Sequence, residues 1–298
     1  ANVLVQTGLQ PGDRVAAQVE KSAEALALYA ACAQAGLIFL PLNTGYTAEE
    51  LTYFIENSGA SVVICDARSE ATLTPIVKQF GAGIETLNAD GSGTLMDQAA
   101  VMPLSFATVG REGGDLAAFL YTSGTTGRSK GAMLTQNNLL SNAETLAQEW
   151  QFTSDDVLLH ALPIFHTHGL FVATNVTLAA GGSLIFLPKF DLDAILERMP
   201  QATTMMGVPT FYTRLLGDDR FTRDLAAHMR LFVSGSAPLL AETHAQFEER
   251  TGHRILERYG MTETNMNTSN PFEGDRRAGT VGFPRSEEHT SELQSLIS

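Results

Sequence analysis

The chain has 298 residues, and its 33 acidic and 19 basic side chains give a formal net charge of −14 at pH 7. That length suits one large domain or two ordinary ones, and a hydrophobic content of 44% argues against intrinsic disorder. The acidic balance argues against a nucleic-acid-binding protein, although a few local donors can still bind a small anion. The two cysteines, Cys32 and Cys65, form neither a disulfide framework nor a metal pair, so we expect a reduced, cytoplasmic location.

We expect no targeting segment, but the uncharged stretch at residues 157–188 raises the question of a membrane helix. Pro163, Asn175 and the pair Gly181 and Gly182 interrupt this stretch. A spanning helix needs about 20 consecutive, predominantly apolar residues. The stretch is therefore predicted to form a buried helix followed by a buried strand.

Helical and strand patterns alternate along most of the chain. The first predicted helix covers residues 21–35 and is capped by Gly36, and a capping box at Thr47–Glu50 begins a second that ends near Gly59. Further helices are predicted at residues 136–150, 192–199, 209–216 and 238–250. Strands are predicted at residues 37–42, 61–65, 116–121, 157–162, 183–187, 203–208 and 229–233. Apolar strands that alternate with helices predict an α/β fold with mostly parallel sheets.

A polar, glycine-rich stretch at residues 88–114 is the predicted boundary between two parts of the chain. Residues 1–114 are predicted to form a first α/β subdomain and residues 115–284 a second. The remaining residues, 285–298, form a polar tail.

A loop of small and hydroxylated residues follows the apolar strand at residues 116–121. Gly124 and Gly127 allow the backbone to turn so that successive N–H groups converge on an anion, and Lys130 adds a positive charge. The loop differs from the common P-loop, because Arg128 follows the second glycine. The alternative is a flexible surface turn, but the unbroken run of small residues closed by Lys130 favours a site for a nucleotide polyphosphate.

Residues 119–130 resemble the phosphate-loop signature of the adenylate-forming superfamily, which includes acyl-CoA synthetases, luciferases and peptide-synthetase adenylation domains. The resemblance implies the large N-terminal domain of such an enzyme, with mostly parallel sheets between layers of helices. It also implies that ATP and Mg²⁺ activate a carboxylate to an acyl-adenylate, whose acyl group then passes to coenzyme A. In the loop it assigns ATP binding and catalysis to Thr126 and Lys130, and further ATP binding to Thr122, Ser123, Gly124, Thr125 and Gly127.

Four further stretches match the superfamily in the expected order. The segment at 162–170 implies that His166 lies at the acyl pocket and takes part in catalysis. The segment at 234–239 resembles the turn that offers backbone groups to adenine, here from Gly235, Ser236 and Ala237. The segment at 279–284 matches the region just downstream of the last motif.

The remaining stretch, Tyr259 to Glu263, resembles the motif that contacts adenine, the α-phosphate and the metal. The resemblance implies that Tyr259 stacks on adenine with Gly260 beside it, that Thr262 touches the α-phosphate and that Glu263 holds Mg²⁺. A single carboxylate beside a triphosphate suits Mg²⁺, which prefers few protein ligands plus phosphate oxygens.

Simpler interpretations remain for each motif taken alone. His166 and His168 could be a metal pair, although no third ligand lies at a sensible spacing, or either could be a core histidine. The segment at 234–238 could be only a strand-to-helix turn, and Glu263 could be a solvated carboxylate. The order and spacing of the motifs together favour the functional interpretation.

Within the superfamily, residues 254–271 most closely resemble malonyl-CoA synthetases. A dicarboxylate substrate keeps one charged carboxylate inside the acyl pocket, and such a charge needs a cation. Arg258 stands where those enzymes carry the arginine that is assigned to the distal carboxylate, and Met261 and His166 are expected in the same pocket. Arg214 is a second candidate. The alternative for either arginine is a surface position paired with one of the many carboxylates.

The resemblance covers residues 3–284, and both ends depart from the family pattern. We therefore expect a truncated chain that lacks the ribose-binding Asp, the hinge and the catalytic Lys of the small C-terminal domain. Two hypotheses follow: a fragment of an ATP-dependent malonate–CoA ligase or of a ligase for another short acid, or a catalytically silent nucleotide-binding module. The expected partners are small molecules only, without nucleic acid or membrane.

Overall fold

The computed structural model describes residues 1–122 and 128–284. It contains two compact units, one from Ala1 to Asn137 and a second that begins at Asn138. This division falls later than the boundary expected near residue 114, because the strands within residues 116–135 pair with the first sheet. The predicted tail at 285–298 lies outside the described residues.

The first unit is a mostly parallel sheet with intervening helices. Its strands are β1 (Arg14–Gln18), β2 (Ile38–Pro41), β3 (Val62–Cys65), β4 (Gly83–Thr86), β5 (Leu116–Thr122) and β6 (Lys130–Thr135). Its helices are α1 (Asn2–Gln6), α2 (Ala23–Gln34), α3 (Ala48–Ser58), α4 (Ala67–Gln79) and α5 (Thr94–Ala99). The described strands run in the order β4-β3-β1-β2-β5-β6, and only β6 is antiparallel to its neighbour.

Local signals account for the predicted helices of this unit. The Thr47 capping box is present, and Gly59 ends α3 in the left-handed conformation at φ 60°. The sequence analysis missed α1, β1, α4, β4 and α5. β1 is short and carries two alanines and Gln18, and α4 contains Pro75, so neither shows a clear apolar period.

The second unit contains a longer sheet of the same kind. Its strands are β7 (Val157–His160), β8 (Ser183–Phe186), β9 (Thr204–Gly207), β10 (Leu231–Ser234), β11 (Leu256–Met261), β12 (Asn265–Ser269) and β13 (Phe283–Pro284). The helices from the division onward are α6 (Gln136–Glu149), α7 (Asn175–Ala179), α8 (Leu192–Arg198), α9 (Pro209–Leu216), α10 (Arg223–Ala226) and α11 (Ala241–Thr251). The described strands run in the order β13-β12-β11-β10-β9-β7-β8, parallel from β11 to β8 and antiparallel from β11 to β13.

Both faces of the central strands of this sheet, β9 and β10, are buried, as expected for parallel strands between helices. Successive residues of one strand enter different cores: Leu158 and Leu159 of β7 belong to separate clusters, as do Met205 and Met206 of β9. One core contains residues of α8, α9 and α11, and the other contains residues of α6 and the segment after β7. The prediction of mostly parallel sheets sandwiched by helices is confirmed.

The uncharged stretch at 157–188 forms a strand, a buried helical segment and a second strand. A π-helix at His168–Thr174 leads into α7, and every residue of the π-helix is buried. The predicted helix is thus confirmed, but β8 is only partly buried because it lies at the edge of the sheet. Across the described ranges, no helix combines the length and hydropathy that a bilayer-spanning segment needs.

An ion pair between the buried Asp156 and the partly exposed Arg230 fixes the loop that leads into β7. Asp156 accepts hydrogen bonds from Arg230 Nε at 3.0 Å and Nη2 at 2.8 Å, and from the Thr203 hydroxyl and the Thr153 N–H, each at 2.8 Å. Asp156→Ala should lower the free energy of unfolding by about 1–3 kcal/mol, because the donors on Arg230, Thr203 and Thr153 lose their buried acceptor. Urea titration monitored by circular dichroism gives the value.

The matched control for this prediction is Asp155→Ala, which removes an exposed neighbouring carboxylate. A change within about 0.5 kcal/mol is expected for such a surface position. Equal losses in the two variants would show that the ion pair contributes little.

Candidate functional site

The second unit contains a cavity of about 430 Å³ at the carboxyl ends of its parallel strands. The loops and strand ends that follow β7, β9 and β10 form its walls, together with β11. Ligands commonly bind at this edge of open α/β sheets. The lining residues are Leu162, Pro163, His166, Thr167, His168, Gly169, Val208, Ser236, Arg258, Gly260, Met261, Thr262 and Met266. The structure thus brings together His166, Ser236, Arg258, Gly260, Met261 and Thr262 from the sequence-predicted site.

Close packing fixes the wall that follows β7. A Cβ at Gly169 would lie 1.9 Å from the carbonyl oxygen of Pro163, so only glycine fits this position. The Gly169 carbonyl accepts hydrogen bonds from His160 Nε2 at 2.8 Å and from the Thr174 hydroxyl at 2.9 Å. These contacts hold the first turn of the π-helix, the class of helix distortion that is frequent at functional sites.

Arg258 is a buried cation in the cavity wall. Its exposed fraction is 3%, and its Nε and Nη2 atoms have no hydrogen-bond partner among the described residues. Burial lowers the pKa of the guanidinium to about 10, so it stays charged at neutral pH. A Cβ at Gly235 would lie 2.3 Å from Arg258 Cζ, so the guanidinium packs directly on the backbone of the predicted adenine turn.

Two histidines line the same cavity in different environments. His166 remains partly accessible to solvent and lies beside Phe165, with ring centroids 4.7 Å apart, and desolvation lowers its pKa. His168 is 5% exposed, and burial, followed by the charge of Arg258 and the neighbouring histidines, lowers its pKa well below the usual value. His168 is therefore neutral at pH 7. Its Nδ1 lies 3.2 Å from the Ser236 hydroxyl oxygen.

The predicted adenine turn follows β10. Gly235 is buried, Ser236 and Ala237 are exposed, and Ser236 has φ 69°. Left-handed backbone is strained for a residue with a side chain, and such strain concentrates at functional sites. Helix α11 begins at Ala241, three residues later than predicted, so the turn extends beyond Pro238.

The Tyr259–Glu263 motif forms the end of β11 and the turn into β12. Tyr259 is 45% exposed, as a residue that stacks on a base requires, whereas a Cβ at Gly260 would meet the Asn265 carbonyl oxygen at 2.1 Å. The Thr262 hydroxyl accepts a hydrogen bond from the Thr167 hydroxyl at 3.4 Å. Glu263 lies in the turn and stays partly exposed, so its position fits a single carboxylate that holds Mg²⁺ beside phosphate oxygens.

The predicted phosphate loop belongs to the first unit. Thr122 pairs with Lys130 across the antiparallel strands β5 and β6, and Lys130 is exposed. The Tyr53 hydroxyl donates a 2.9 Å hydrogen bond to the Ser129 carbonyl oxygen and so holds the start of β6. The other predicted loop residues, Ser123, Gly124, Thr125, Thr126 and Gly127, lie outside the described residues.

Two positions differ from the sequence analysis. Arg214 is exposed on α9, with its guanidinium 4.4 Å from the centroid of the Phe190 ring, and it does not line the cavity. His168, considered only as a metal ligand or core residue, lines the cavity. No group of three or more His, Cys, Asp or Glu side chains able to hold a metal occurs within residues 1–122 and 128–284.

Known proteins resemble this chain over nearly its whole length. Malonate–CoA ligase of Arabidopsis thaliana is 35% identical over 299 residues, which cover 93% of this chain and 49% of that protein. Among solved structures, ATP-bound MatB from Rhodopseudomonas palustris is 62% identical with a TM-score of 0.93, over 95% of this chain and 56% of that one. A malonyl-CoA ligase in a ternary product complex with methylmalonyl-CoA and AMP is 35% identical with a TM-score of 0.77, over 91% of this chain and 56% of that one.

This chain spans about half the length of the relatives that it matches. The profile of the AMP-binding enzyme family matches residues 1–290. That match includes every predicted motif, from the phosphate loop to the segment at 279–284. The chain therefore belongs to the AMP-binding enzyme family.

Proposed function

We propose that the protein is an ATP-dependent acid–thiol ligase that converts malonate, or a close dicarboxylate, to its coenzyme A thioester. The observation that carries the substrate class is Arg258, a buried cation in the wall of the cavity, two of whose nitrogen atoms have no partner within residues 1–122 and 128–284. An unpaired buried charge is costly. The distal carboxylate of a short dicarboxylate would remove that cost with a charge-assisted hydrogen bond.

The proposed reaction has two steps. The substrate carboxylate attacks the α-phosphate of ATP, which gives an acyl-adenylate and releases pyrophosphate. The thiol of coenzyme A then attacks the acyl carbon, and AMP leaves. In this scheme Lys130 and Thr126 hold the triphosphate, Thr262 contacts the α-phosphate, and His166 lies at the acyl group.

The nucleotide-binding roles also come from the family pattern and stay proposals. Tyr259 would stack on adenine, Gly235, Ser236 and Ala237 would offer backbone groups to the base, and Glu263 would hold Mg²⁺. That ion would neutralise charge on the phosphates when bound. The exposure of Tyr259 and the strained backbone of Ser236 support these roles. The remaining loop residues, Thr122, Ser123, Gly124, Thr125 and Gly127, would bind the phosphates.

The test is a substrate panel assayed in an enzyme of the relatives' full length that carries this chain. Pyrophosphate release and thioester formation are followed with malonate, methylmalonate, butyrate and benzoate. The proposal expects malonate or methylmalonate to have the highest kcat/KM. Preference for butyrate or benzoate would replace the dicarboxylate assignment with another acid, while leaving the ligase chemistry in place.

A second candidate concerns the 298-residue chain on its own, since it spans about half the length of its relatives. By itself it would bind nucleotide without completing the reaction. Incubation of this chain with ATP, Mg²⁺, malonate and coenzyme A distinguishes the two, because malonyl-CoA formation at the rate of a full-length relative contradicts a silent module.

A cytoplasmic location also stays a proposal; it rests on the two buried, free cysteines.

A further inference from the structure

His168 provides a second unpaired polar atom in the cavity that contains Arg258. Its Nε2 atom is buried and has no hydrogen-bond partner in the part of the chain that the structure describes. An unsatisfied buried donor or acceptor costs free energy, so native structures keep one only where a partner or a function compensates. We therefore expect one polar group of a ligand to bind both the Nε2 of His168 and the Nε and Nη2 of Arg258.

The contact with Ser236 allows His168 to carry its ring proton on Nε2. A neutral imidazole has one N–H donor and one acceptor nitrogen. When the Ser236 hydroxyl donates to Nδ1 across the 3.2 Å contact, the ring proton must reside on Nε2. His168 then offers an N–H group to a ligand. Burial, and after it the positive charge of Arg258, lowers the pKa of His168 and so opposes a second proton on the ring; this neutral donor therefore persists at pH 7.

We propose that His168 is a specificity-determining residue that donates a hydrogen bond from Nε2 to the distal carboxylate of the substrate, beside Arg258. The assignment rests on the proposed dicarboxylate ligase and deepens it. Arg258 supplies the charge, and His168 supplies a neutral donor whose position is fixed by Ser236 and by the packing of Gly169. The Nε2 of His168 and the Nε and Nη2 of Arg258 are buried, so the proposed contact requires small movements of the side chains around them.

Two near-isosteric variants separate the two ring nitrogens. In His168→Asn the amide occupies the Nδ1 position and keeps a partner for Ser236, but nothing remains at the Nε2 position. In His168→Gln the amide reaches the Nε2 position and restores a donor there. Binding of malonate and of butyrate to the 298-residue chain, with AMP present, is measured by calorimetry, which requires no turnover.

His168→Asn should raise the Kd for malonate roughly tenfold or more, as expected for the loss of a hydrogen bond to a charged group, and leave butyrate within about twofold. His168→Gln should recover most of the malonate affinity. Equal losses for malonate and butyrate, or no loss, would show that His168 only packs the wall. Nitrogen NMR of the histidine rings gives an independent result in the unmutated chain. The His168 resonances are assigned as those that disappear in His168→Gln. The Nε2 resonance should shift when malonate is added but not when butyrate is added.

The same titrations separate this inference from the proposed function. Arg258→Met serves as the reference, and it should weaken malonate binding selectively. If Arg258→Met weakens malonate binding selectively while His168→Asn weakens malonate and butyrate equally, the proposed role of His168 is wrong and that of Arg258 stands. A wild-type chain that binds malonate no better than butyrate contradicts the dicarboxylate assignment, and the inference with it.

Discussion

Replacing Arg258 by methionine should lower kcat/KM for malonate by about 100-fold or more in an enzyme of the relatives' full length that carries this chain. The variant loses charge-assisted hydrogen bonds, worth about 1.5–3 kcal/mol, and leaves the substrate's distal carboxylate buried without a partner, at about 3–5 kcal/mol. Each 1.36 kcal/mol is a factor of ten in rate, so 100-fold is the conservative end of the range.

Butyrate is the discriminating substrate for this variant. It has no distal carboxylate, so it leaves the buried guanidinium unpaired, and its kcat/KM should hold steady or rise in Arg258→Met. If malonate and butyrate lose activity in the same proportion, Arg258 supports the fold of the pocket rather than substrate choice.

Two further variants sharpen the Arg258 experiment. Arg214→Met removes the other candidate cation, which is exposed on α9 beside Phe190, and should leave the ratio of malonate to butyrate unchanged. Gly235→Ala keeps the guanidinium but places a methyl group 2.3 Å from its Cζ, so Arg258 must move. It should reduce the malonate preference in the same direction as Arg258→Met. A selective loss of malonate activity in Arg214→Met would transfer the role to that residue.

Local sequence patterns predicted four of the second unit's parallel strands, β7 to β10, because these are continuous apolar runs, but they did not predict β11 or the short helix α10. Helix α9 begins and ends at the predicted residues, since Pro209 suits a first helical position. β1 was missed because Ala16, Ala17 and Gln18 do not show strand character, although all three are buried by the strands on either side. Tertiary pairing, which no local window contains, determines that strand.

The site could be predicted only as far as the motifs extend. Arg258 was identified from its place beside Tyr259, but the sequence did not predict that it is buried. Leu256, Glu257 and Arg258 are three buried residues in a row, so β11 lacks the alternation of buried and exposed residues that indicates burial. His168 was missed for a geometric reason. Residues two apart do not share a face of an ordinary α-helix, whereas His166 precedes the π-helix and His168 begins it, so both line the cavity.

Replacing Lys130 by alanine should lower the rate of pyrophosphate release by about 100- to 1,000-fold at saturating malonate. The proposed role of Lys130 is to stabilise charge that develops on the triphosphate, and loss of one such preorganised group typically costs this much. Lys130 is exposed at the start of β6, opposite Thr122. An exposed side chain contributes little to folding, so a loss of activity in this variant is not explained by a loss of stability. Thr126→Ala should act in the same direction and less strongly, since it removes a hydroxyl and no charge.

Arg128 provides the matched control, because it is an exposed cation two residues before Lys130 in the same strand connection. Its guanidinium lies 5.5 Å from the centroid of the Tyr53 ring, a contact within the first unit that needs no nucleotide. Arg128→Ala should change the KM for ATP and kcat by less than about threefold, as expected for a surface substitution. A comparable loss of activity in Arg128→Ala and Lys130→Ala would indicate that both cations act through the overall positive potential near the loop rather than through a specific contact of Lys130. Wild-type kinetics in Lys130→Ala would exclude the phosphate-loop assignment for this residue, because the proposed contact is with the reacting nucleotide itself.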